Sequence, residues 1–242
     1  MKIKGVYRNI MQSLTIIMIV LFSYSSCTKI SSNNIFKRHD KKYIKFFMEV
    51  GFDDFKHINK WQENIKYDYV GQPHEGDIEI LDTIFSEVMQ IIKPIRIDKI
   101  KKGEKPDLVI YFGDKMESII PCSQGLSNVR RNNRFLKIGD AAIWADPKFC
   151  GRRRQAIFRH ELLHVLGLSH PPKGKLYKVI ISPYFFIDER GWDDPNFVLI
   201  YKYTELDIAV LSILYDKDIP NGLSLESFKK SYNNYQNDST KR

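Results

Sequence analysis

Cysteine is scarce in this chain: three in 242 residues, Cys27, Cys122 and Cys150, at spacings that match no cysteine-built metal site. Long apolar runs are missing too. The most apolar stretch, Leu14 to Phe22, covers nine residues, well short of the roughly 20 that cross a bilayer as a helix. No internal repeat and no Pro/Gly-rich linker divides the middle, which excludes a tandem array and favours one domain. No interleaved basic–aromatic stripe or nucleic-acid motif occurs, so no nucleic-acid partner is expected. Residues 1–26 hold no acidic residue, while Lys2, Lys4 and Arg8 precede the apolar run.

The rest is ordinary for a folded protein. Apolar residues make up 43% and charged residues 28%, which excludes disorder of the whole chain. The formal charge is +9. Setting aside the three basic residues of the first 26 leaves 35 basic against 29 acidic, or +6. That excess suits a solvated basic exterior, with attraction to an anionic surface or to acidic substrates as the sharper alternative.

A positive start, a short apolar stretch and small residues before Cys27 have the layout of a secretory signal. Ser25-Ser26-Cys27 resembles the processing site of bacterial lipoproteins, with Tyr24 where leucine usually stands. The resemblance implies export and lipid attachment at Cys27 in the cell envelope, facing the periplasm or the cell surface. An uncleaved membrane anchor is the alternative, and it exports the domain equally. In an oxidising compartment Cys122 and Cys150 become a candidate disulfide. It would close a loop of about 29 residues and contribute roughly 3–4 kcal/mol, two buried thiols being the alternative.

Residues 27–42 are polar and basic and read as a tether. The Asn- and Ser-rich segment 231–242 reads as a flexible tail. Between them, 43–230 is expected to be one catalytic domain and a monomer. Alternation predicts a strand at 65–70, and short buried-type apolar runs predict strands at 108–112 and 141–145; a helical stripe of apolar residues predicts a helix over 77–92. Further helices are expected over about 154–166 and 205–215. The fold class is therefore α+β, a small sheet with helices packed on it.

The informative stretch is His160-Glu161-Leu-Leu-His164-Val-Leu-Gly167-Leu-Ser-His170. Residues four apart share one helix face, so His160 and His164 can hold one zinc ion. Glu161 follows the first ligand and suits a catalytic base toward a zinc-bound water. Continued helix would turn His170 away by about 240°, so Gly167 is needed to break it. Three histidines leave a fourth position for water, as in catalytic rather than structural zinc sites. Chance gives a bare H-E-x-x-H in about 1% of chains this long, and the added glycine and histidine lower that to about 1 in 100,000. The bland alternative, an amphipathic helix with surface histidines, loses on those odds.

The motif resembles that of the metzincin metallopeptidases, and its surroundings look most like the matrixin branch. Lys60-Trp61, the 65–70 strand, the 77–92 helix, the 106–112 segment and the helix from Asp207 to Tyr215 follow in the order expected of that family. The resemblance implies a zincin fold with a mixed, twisted sheet, an antiparallel edge strand, an active-site helix and a C-terminal helix. It implies zinc-dependent endopeptidase activity on peptide or protein substrates. It also implies that the strand before the active-site helix is the substrate-pairing edge, which nominates Ala141, Ala142, Ile143 and Trp144.

The family's methionine turn has no methionine here, since none follows Met116. Leu199 and Ile181 are rival substitutes, and the Leu199 placement would make Tyr201 a candidate transition-state tyrosine. Pro171 stands where matrixins usually have serine, and no cysteine-switch propeptide is present. Arg152-Arg153-Arg154 before the helix reads as a solvated loop, or as a device steering acidic substrates. The missing methionine motivates a second reading, a zinc-containing but non-catalytic binding module on the cell envelope. Zinc hydrolysis of a non-peptide amide is a third.

Overall fold

The computed structural model describes residues 32–52, 54, 56–112, 125–132, 137–145, 151–173, 175, 177–182 and 200–240. Leu14–Phe22, Cys27, Cys122, Cys150 and Leu199 lie outside them. Among the described residues, no helix is long and apolar enough to cross a membrane.

Strands β1 (Ile65–Gly71), β2 (Ile97–Lys99), β3 (Leu108–Phe112), β4 (Gly125–Asn132) and β5 (Lys137–Ala145) form one sheet in the order β2-β1-β3-β5-β4. The first four positions in that order are parallel, and β4 runs antiparallel to β5. Alternation makes the strands: Leu108, Ile110 and Phe112 are buried, while Tyr111 is exposed. The architecture is thus a mixed α and β one, with an antiparallel strand at one edge.

That edge is not the one expected from the sequence. β5, which carries Ala141 to Trp144, pairs with β3 on one side and β4 on the other. Its main-chain groups are committed in both directions, so it cannot add a third strand. The outer strand is β4, whose polar sequence GLSNVRRN hid it from a search for apolar alternation. Its register shifts at Arg130/Arg131, and charge and irregularity of this sort are common on edges.

Helix α1 (Ser32–Arg38) and the first two residues of α2 (Lys41–Val50) occupy the segment expected to be a tether. Ile35 and Phe36 are buried, and the Phe36 ring lies 5.3–5.6 Å from those of Phe228, Tyr232 and Tyr235. Those three belong to α6 (Leu225–Ser239), which covers most of the expected tail. Composition misled twice, because sparse aromatic residues at helical spacing outweigh many Asn, Ser and Lys.

Helix α3 (Asp77–Ile91) buries the stripe Leu81, Ile84, Phe85 and Val88. It also grips α4 (Gly151–Val165) through two ion pairs. Arg154 Nε lies 2.6 Å from Asp77 Oδ1, both side chains 2% exposed, and Arg159 makes a forked pair with Glu87 at 2.9–3.1 Å. Arg154 is therefore a buried structural residue rather than part of a solvated loop or a steering patch. Bidentate arginine fixes both distance and rotation of the helix it belongs to.

The far end of α4 is held as firmly. Trp61 Nε1 donates to Val165 O at 2.8 Å, and the Tyr215 hydroxyl donates to Leu166 O at 3.0 Å. Beside them Lys60 Nζ donates to Leu214 O and Ile219 O, at 2.8 and 2.7 Å, and closes the end of α5 (Glu205–Leu214). Burial pushes this ammonium down to about 8, and the carbonyls around it offset part of that cost.

If α1 is part of the domain, Phe36→Ala removes a buried ring from an aromatic cluster and costs about 3–5 kcal/mol in urea unfolding. A loss of less than about 0.5 kcal/mol, the range of surface changes, would return α1 to the status of a tether.

Candidate metal centre

Helix α4 places His160 and His164 one turn apart, with ring centroids 4.7 Å from each other. The helix then ends where Gly167 adopts φ +109. Leu168 N donates to Leu163 O at 3.0 Å and Gly167 N to His164 O at 2.9 Å, the paired bonds of a Schellman turn. A Cβ at position 167 would lie 2.0 Å from Asn59 O, so both conformation and space demand glycine. The chain leaves the helix and brings His170 back, its ring centroid 4.3 Å from that of His164 and 5.0 Å from that of His160.

The three Nε2 atoms form a triangle with sides of 3.2, 2.9 and 3.0 Å. The other nitrogens explain what these atoms are. His160 Nδ1 lies 2.7 Å from Ile180 O, and His164 Nδ1 lies 2.9 Å from Leu168 O. A carbonyl only accepts, so each Nδ1 carries the hydrogen, and in a neutral imidazole Nε2 then presents its lone pair. Burial, reinforced by nearby His170, pushes His160 down to about 4, against the pull of the Ile180 bond. Burial lowers His170 as well. Lone pairs about 3 Å apart repel one another unless a cation lies between them. Such a triangle allows one point to sit at the ~2.0–2.1 Å bond length of zinc to imidazole nitrogen from all three corners. The donor set fits zinc.

Burial falls across the site: His160 and Glu161 are each 7% exposed, His164 is half-buried and His170 is exposed. The centre therefore has a closed floor and an open side. No other group of three His, Cys, Asp or Glu residues is arranged to hold a metal among the described residues.

Two supports were not legible in the sequence. The turn Val179–Ser182, which carries the Ile180 carbonyl, hangs on Asp207. This carboxylate is fully buried in the first turn of α5 and accepts from Ile180 N at 3.0 Å and Ile181 N at 3.3 Å. It also accepts from Thr204 N and Oγ1 at 2.9 and 2.6 Å. Burial raises its pKa, while the bonds from Thr204, Ile180 and Ile181 work the other way. Thr204-x-x-Asp207 is readable as a helix cap, but its second job spans 27 residues. On the other side, α2 holds the segment bearing His170. Ser169 N donates to Val50 O at 2.7 Å, and Glu49 takes Lys175 Nζ at 2.5 Å and the Tyr177 hydroxyl at 2.8 Å.

Of the two candidates for the turn position, Ile181 is fully buried in the turn that supports His160; Leu199 is outside the described residues. The ring of Tyr201 lies 5.0 Å from the Arg152 guanidinium.

No protein-family model matches the chain, and no curated protein matches it.

Asp207→Asn replaces one acceptor oxygen by an amide NH2 donor that opposes the main-chain donors. It should weaken zinc affinity about 10–100-fold, as loss of an outer support typically does. Competition with a chromophoric chelator measures this, and unchanged affinity in a folded variant would contradict the link from Asp207 through Ile180 to His160.

Proposed function

We propose that the chain is a zinc-dependent endopeptidase of the metzincin type, matrixin-like, held at the cell envelope by its N-terminus. The observation that carries this reading is the triangle of imidazole Nε2 atoms, 2.9–3.2 Å apart, with Glu161 next to the first of them in sequence. The mixed sheet with one antiparallel edge strand, the histidine helix and the closing helix α5 support the family assignment. Ile181 takes the place of the turn methionine, and its burial supports that assignment.

Zinc supplies Lewis acidity, polarising a scissile carbonyl and acidifying a water molecule. His160 and His164 hold the ion as neutral ligands, their tautomers set by main-chain carbonyls. Glu161 accepts the proton of the attacking water and delivers it to the leaving amine. The exposed side of the centre, at His170, is where substrate enters. An extended peptide adds to the outer edge of β4, which among the described residues pairs only with β5. Residues 1–26 serve as the export signal, and Cys27 bears the lipid. The alternative is a module that keeps zinc and binds without cleaving.

Glu161→Gln should retain zinc and lower peptide cleavage by about 10²–10⁴-fold, the range of a lost general base. A mixed peptide library with and without chelator supplies the assay. Full cleavage by the variant would remove Glu161 from the mechanism. Zinc-loaded wild type that cleaves nothing in the library would favour the binding module.

A further inference from the structure

The outer face of α2 meets α6 along a cleft of about 350 Å³. Lys41 and Lys45, one turn apart on α2, and Lys229 of α6 line it, and all three are exposed. No carboxylate lines the cleft. None of the three joins an ion pair among the described residues; those of α2 are Lys42 with Glu205 at 3.9 Å and Glu49 with Lys175. Lys37 and Lys230 are exposed nearby in the sequence. Like charges one turn apart destabilise a helix, so this arrangement is relieved by an anionic surface. Met48 adds an apolar group at the cleft and Asn233 and Gln236 add amide donors, a set that suits the boundary between lipid phosphate and acyl chain.

The position in the chain selects the source of the anion. Helix α1 begins at Ser32, five residues after Cys27, and five residues span at most about 18 Å. Whether the lipid on Cys27 or the apolar run Leu14–Phe22 enters the bilayer, α1 and α2 are kept close to the headgroups. A phosphate that is already there in high density is a better match than a scarce soluble one.

We propose that the α2–α6 lysine face rests on an anionic membrane, with Lys41, Lys45 and Lys229 on lipid phosphates. The inference rests on the N-terminal attachment proposed above and is independent of the peptidase reading. It has a consequence for the metal centre. The same helix α2 ends in Glu49 and Val50, which hold the segment bearing His170, so docking of this face sets how the centre is presented above the membrane.

The test uses the full chain with vesicles of phosphatidylcholine alone or mixed with phosphatidylglycerol. Flotation reports attachment, and amine acetylation read by mass spectrometry reports each lysine. Labelling of Lys41, Lys45 and Lys229 should slow about fivefold on anionic vesicles, the ratio expected for a lysine at such a surface. It should recover at high salt, with Lys102 and Lys217 unchanged. Equal labelling on both vesicle types overturns the proposal. Equal slowing at Lys102 and Lys217 also does, since it reflects general basicity, as does full protection by inorganic phosphate on neutral vesicles. A chain that floats with neither vesicle overturns attachment and this face together, while peptide cleavage is a separate readout that none of these outcomes changes.

Discussion

Two main-chain carbonyls decide what the histidines are. By accepting from Nδ1 of His160 and His164, Ile180 O and Leu168 O fix which nitrogen of each ring carries its hydrogen and which way the other points. Both carbonyls are products of turns rather than of regular elements. One comes from the Schellman turn at Gly167, the other from the turn that hangs on Asp207. Gly167 thus does more than end the helix. The reversal it permits returns His170 to the other rings and also turns the Leu168 carbonyl toward His164.

Around this small arrangement, buried charge is used to hold elements in place. Arg154 with Asp77 and Arg159 with Glu87 fix α4 against α3, and Lys60 fixes the end of α5. A buried ion pair such as Arg154–Asp77 contributes little net stability, because desolvation offsets its attraction. Its geometry is the gain. A ligand triangle with sides near 3 Å depends on the orientation of α4, and the two arginines of α4 fasten that orientation to α3. The N-terminal helices take part as well, since α2 fastens the segment after the third histidine.

The site was legible in the sequence because its information is local. Two offsets, four and six residues, and one glycine are enough to specify helix, break and return. The same is true of 77–91, 108–112 and 205–214, where apolar periodicity is strong. What escaped was non-local or masked by composition. β4 is polar and identified only by its partner, so the edge was assigned to β5. α1 and α6 carry few apolar residues, and the packing of Phe36 on Phe228, Tyr232 and Tyr235, with Phe228 also against Phe47 and Phe52, explains why they are folded. Arg154 looks like one of three surface arginines until Asp77, 77 residues earlier, is seen beside it. Asp207 reads as a helix cap, and nothing nearby in the sequence indicates that the same carboxylate also supports a turn under His160.

Three imidazoles from one short stretch are arranged to share one ion. Zinc content per chain after equilibrium dialysis, measured for the wild type and for His160→Ala, His164→Ala and His170→Ala separately, tests it most directly. One tightly held ion is expected in the wild type and its loss in every single variant, with folding retained by circular dichroism. A folded His170→Ala protein that still holds its zinc at wild-type affinity would contradict it.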